Sequence, residues 1–75
     1  MSFKKELGKE IRALEEEIMQ LEIKRSRSQA SLIDALISKE EPNEQEVQFF
    51  RTYTAEIELK REQHAKLKRK YETLN

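Results

Sequence analysis

One proline decides most of what this chain can become. Pro42 stands just past the middle of 75 residues, within Glu40-Glu41-Pro42-Asn43-Glu44-Gln45-Glu46, and it is the only proline present. Proline has no N–H to donate and disfavours helical backbone in the residue before it, so a helix arriving from the N-terminal side must stop by Glu41. A new helix can start at once. Asn43 is a good N-cap, Glu46 stands three residues on, where a capping box needs a carboxylate, and Glu44 and Glu46 suit the positive end of a helix. The segment predicts a helix over about residues 3–39, a turn over about 40–43 and a second helix over about 44–73.

Apolar spacing supports both helices. Leu7, Ile11, Leu14, Ile18 and Leu21 follow one another at four, three, four and three residues, which is a heptad seam. Continued, the seam passes through Arg25, Ser28, Leu32 and Ala35. It thins at Arg25-Ser26-Arg27-Ser28, where long cations must run their stems along the seam and carry their charge outward. In the second helix the seam reads Val47, Phe50, Thr54, Ile57, Arg61, His64, Leu67 or Lys68, Tyr71 and Leu74. Ser2 is placed to cap the first helix, and Gly8 weakens its opening turns by roughly 1 kcal/mol relative to alanine.

The expected fold is therefore all-α, an antiparallel two-helix hairpin of coiled-coil type. Charge order agrees with antiparallel pairing. Glu15, Glu16, Glu17 and Glu22 come opposite the zone of Arg61, Lys66, Lys68, Arg69 and Lys70, while Lys24, Arg25 and Arg27 come opposite Glu56 and Glu58. In this register His64 faces about Met19, and Glu16 faces the neighbourhood of Leu67. The same blocks could equally pair between two chains, so dimerisation into a four-helix bundle stays open.

Charge and residue usage weigh against several functions. Fifteen basic residues balance fifteen acidic ones, whereas wholesale binding to nucleic acid or an acidic membrane calls for a basic excess. No apolar run approaches the roughly 20 residues that span a bilayer, and Phe3-Lys4-Lys5-Glu6 lacks the apolar core of a secretory signal, so no membrane insertion and a cytoplasmic location are expected. Without cysteine there is neither a disulfide nor a thiolate metal site. His64 is the only histidine, no glycine-rich loop cradles a phosphate, and Ser26, Ser28 and Ser31 lie nearer the turn than His64. A carboxylate-bridged metal pair on a helical bundle uses Glu-x-x-His, but Arg61 stands three residues before His64. No catalytic residue, cofactor or metal is expected.

Near the turn the apolar face widens. Leu32, Ile33, Leu36, Ile37, Val47, Phe49, Phe50 and Tyr53 are more than one helix pair can cover, and exposed apolar surface of that size marks association. These eight residues are the expected partner-binding site, for another protein or for a second copy of the chain. The basic segment Lys60–Lys70 supports an alternative, a homodimeric four-helix bundle that binds nucleic acid, although only Tyr71 could supply aromatic stacking there. A structural subunit of a larger assembly is a third expectation.

The stretch Asn43-Glu44-Gln45-Glu46-Val47-Gln48-Phe49-Phe50, followed by Ala55-Glu56-Ile57-Glu58, resembles the YscE-like hairpin proteins of type III secretion, which partner needle-subunit chaperones. In that family a short polar turn leads into a helix with an aromatic cluster in its first turns. The first helix here is longer than the family's pattern. The resemblance implies a cytoplasmic co-chaperone or adaptor that keeps a larger helical chaperone and its cargo soluble.

Overall fold

Two helices, α1 (Phe3–Ile37) and α2 (Glu44–Thr73), account for nearly all of the computed structural model, which describes residues 2–74. No strand occurs among the described residues. The helices lie side by side in a rod of 56 × 16 × 15 Å. Its length is close to the roughly 52 Å expected of 35 helical residues at 1.5 Å each.

Both helix starts are capped by the expected side chains. The Ser2 hydroxyl accepts from the Lys5 N–H at 3.4 Å, and the Asn43 carboxamide oxygen accepts from the N–H groups of Gln45 (2.9 Å) and Glu46 (3.3 Å). The end of α1 comes earlier than proline alone requires. α1 stops at Ile37, and Lys39 turns into left-handed backbone with φ 55°. The Glu40 N–H then donates to the Ala35 carbonyl at 2.9 Å and the Lys39 N–H to that of Leu36 at 3.2 Å. This is the Schellman closure, with lysine where glycine is usual. Electrostatics account for the early stop. The last turn of α1 contains no basic residue, and a longer helix would carry Glu40 and Glu41 onto its negative end.

The seam of α1 faces α2 along its length. Leu7, Ile11, Leu14, Leu21 and Ser28 are buried, while Ile18, Arg25, Leu32 and Ala35 are half-buried. On α2 only Ile57 is buried, at 1% exposure, with Val47, Phe50, Thr54, His64 and Leu67 half-buried beside it. Arg61 is exposed and Lys60 is half-buried in its stead. Gly8 is buried against the Tyr71 ring, where an added Cβ would meet Cε2 at 3.5 Å, an ordinary contact.

Charge pairs fasten the helices along both edges. Lys60 Nζ meets Glu17 Oε2 at 2.6 Å on one edge, and Arg61 pairs with Glu22 on the other. His64 Nε2 lies 2.9 Å from Glu15 Oε2. His64 thus faces a residue one helical turn earlier in α1 than the Met19 of the sequence register. The open end is closed reciprocally, with Lys4 over the Tyr71 ring at 4.8 Å and Lys70 over the Phe3 ring at 5.3 Å.

Candidate functional site: the half of the hairpin nearest the turn

Burial is distributed unevenly along the rod. From Ser28, through the turn, to Ile57, no intervening residue is buried. Yet this stretch holds all eight residues expected to bind a partner. Leu32, Val47, Phe50 and Tyr53 are half-buried, because they stand on or beside the seam. Ile33, Leu36, Ile37 and Phe49 are exposed, at 46%, 78%, 74% and 39%.

These eight residues do not form one continuous face. Leu36 stands two heptads beyond Glu22 and shares the edge fastened by Arg61. Tyr53 stands one heptad before Lys60, on the opposite edge, where its ring stacks on Phe49 with centroids 6.0 Å apart and planes at 27°. Helix geometry separates them: residues 100° apart on two facing cylinders diverge to opposite sides of the seam. The largest continuous apolar surface is on α1, where Ile33, Leu36 and Ile37 are neighbours at three and four residues. Phe49 and Tyr53 make a smaller aromatic step on the other side.

Beside the turn, Ser31, Asp34, Ala35, Ser38, Glu40, Glu41 and Asn43 line an open hollow of about 420 Å³. Its carboxylates do not assemble a ligand set: among the described residues, no group of three or more His, Asp or Glu side chains is disposed to hold a metal ion. His64, engaged with Glu15, is 22% exposed at its side chain. Within the basic segment, Lys60, Arg61, Lys66 and Lys70 are all engaged inside the chain, with Glu17, Glu22, Glu62 and the Phe3 ring respectively. No described helix is long and apolar enough to cross a membrane.

A further set of exposed apolar residues escaped the reading of the turn-proximal face. Met19 and Ile23 are 47% and 42% exposed on the outer side of α1, and Leu59 is 67% exposed on α2. Met19 and Ile23 stand one and two positions from seam residues Ile18 and Leu21. Following the seam alone therefore passes over them; a search for a second heptad track on the same helix finds them. No protein-family model, curated protein or solved structure matches this chain, so its function is read from these surfaces.

Proposed function

We propose that the chain is a non-enzymatic protein–protein interaction module whose working surface is the half of the hairpin nearest the turn. One observation carries this reading: the segment between Ser28 and Ile57 has eight large apolar residues and buries none of them. Ile33, Leu36 and Ile37 adjoin one another and are exposed at 46%, 78% and 74%, and an uncovered apolar patch of that kind marks association. The adjoining Ile33, Leu36 and Ile37 suit the groove of a helical partner, which reads an amphipathic helix at three- and four-residue intervals. The acidic turn beside them keeps this end hydrated while it is uncovered. An adaptor or co-chaperone role in the cytoplasm, of the kind implied by the likeness to needle-chaperone partners, is the specific form of the proposal.

The test is capture of partners by the intact chain from its source cell, repeated with three variants. Leu36→Glu should abolish the partner captured by the parent chain, Phe49→Glu, on the opposite edge, should weaken its capture less, and Lys68→Glu should leave it bound. Capture that is indifferent to Leu36→Glu and Phe49→Glu but lost with Lys68→Glu would move the function to the basic segment and defeat this reading.

A further inference from the structure

Beside the seam that faces α2, α1 carries a second seam that faces away from it. Met19, Ile23, Ser26, Ala30, Ile33 and Ile37 follow one another at four, three, four, three and four residues, the average period of 3.5 that defines a coiled-coil contact. Its four large members are 47%, 42%, 46% and 74% exposed in chain order. On an isolated hairpin this outward track is where polar residues belong.

Residue size along the track reads the same from either end: large, large, small, small, large, large. Turned end over end about a twofold axis level with Ser28, α1 offers Met19 to Ile37 of a second copy, Ile23 to Ile33, and Ser26 to Ala30. Such self-complementarity is what an isologous twofold interface requires. The small central pair lets the two backbones approach to the 8–10 Å typical of packed helices.

We propose that the outward seam of α1 pairs two copies of this chain, α1 antiparallel to α1, into a four-helix dimer. The proposal rests on the reading of the turn-proximal half as an association surface, since Ile33 and Ile37 belong to both, and it supplies an occupant for part of that surface. Even complete cover of the six seam residues removes only about 1,000 Å² in all, below the roughly 1,200–2,000 Å² of a stable specific interface and in the range of weak, concentration-dependent association. A parallel dimer would set two turns side by side, each with Glu40, Glu41, Glu44 and Glu46 around a single Lys39, whereas antiparallel pairing carries the turns to opposite ends. The antiparallel register also brings Glu40 level with Glu16 of the second copy, a like-charge contact at each end that salt screens.

Sedimentation equilibrium of the full chain, from about 1 μM to about 1 mM, should show the mass rising to twice that of one chain. Ile23→Glu, remote from Leu36 and Phe49, should hold the chain at half that mass with its helical circular dichroism intact, and Ile33→Gln should weaken the dimer in the same direction. Because the chain has no cysteine, orientation can be read by oxidation. The double variant Met19→Cys/Ile37→Cys should form a covalent dimer. Ile37→Cys alone should not, its two copies standing about 27 Å apart along the antiparallel pair. A monomer over the whole range, a dimer indifferent to Ile23→Glu, or a covalent dimer from Ile37→Cys alone would overturn the pairing. So would a monomer whose capture of another protein is lost with Ile23→Glu, since the seam would then belong to a different chain. The two readings fail separately: a dimer with no partner sensitive to Leu36→Glu defeats only the adaptor, and a monomer with such a partner defeats only the dimer.

Discussion

Replacing Thr54 with valine should make this protein more stable, although it removes a polar group from a helix of a highly charged chain. The Thr54 hydroxyl oxygen is buried and has no hydrogen-bond partner. It sits on the seam of α2, near the level of Arg25–Ser28, where Lys24 and Glu56 line one hollow. An unpaired buried hydroxyl costs about 1–3 kcal/mol, and valine keeps the shape while removing the group that water can no longer solvate. Helix propensity does not offset the gain, because threonine and valine rank together. The expected increase is about 1–2 kcal/mol, which raises Tm by about 4–16 °C in a domain of this size. Thermal melts followed by circular dichroism, at one protein concentration so that association does not shift the midpoint, measure it directly. Thr54→Ser retains the hydroxyl and loses one methyl group, and should lower stability by about 1 kcal/mol. A Tm unchanged or lowered by Thr54→Val would refute the reasoning, because it would mean that the hydroxyl is satisfied in solution.

Other perturbations probe other parts of the fold. Ile57→Ala removes the one side chain buried to 1% exposure and should cost about 2–5 kcal/mol, enough to reduce the helical signal of so small a core at 25 °C. Lys39→Gly relieves left-handed backbone at φ 55° and should raise stability by up to about 1 kcal/mol in urea titration, whereas Lys39→Ala retains the strain and gains nothing comparable. Gly8→Ala should add about 0.5–1 kcal/mol by the same measurement, since its Cβ makes only an ordinary contact with Tyr71. Register is best tested at Glu22 and Arg61, whose side chains are 39% and 57% exposed: each charge reversal should cost at most about 1 kcal/mol, and the double reversal should restore part of it. No recovery in the double variant would count against the antiparallel register.

Much of the fold was legible because two local signals agree with the global arrangement. Pro42 and Asn43 mark the break, and the 4–3 spacing from Leu7 to Ala35 marks the face of α1 that meets α2. The early end of α1 was less legible. It depends on a left-handed lysine, and no composition rule singles out Lys39 for that conformation. The register was off by about a turn near His64, because charge blocks several residues wide define opposition only to within a block. The candidate site was half legible. Its members could be named from composition near the turn, but their separation onto two edges requires the rotation of each helix about its own axis. That rotation is why Phe49 and Leu36, so close to the turn in sequence, do not share a surface. The outward track through Met19 and Ile23 was visible in the spacing all along, hidden by the stronger seam beside it.

The stretch without a buried residue between Ser28 and Ile57 also bears on how the molecule moves. In this hairpin the covalent link lies at the end with the poorer packing, while the opposite end holds Leu7, Ile11, Leu14 and the reciprocal cation–ring contacts. Backbone amides flanking the turn should exchange with solvent through small local openings, and those around Leu14 and Leu21 only through larger ones. The tether keeps the loosened ends of the helices within reach of each other, so they can splay and close without separating. A surface that breathes in this way can fit itself to what it meets, and occupancy should be felt as slowed exchange across the turn long before any change in helix content.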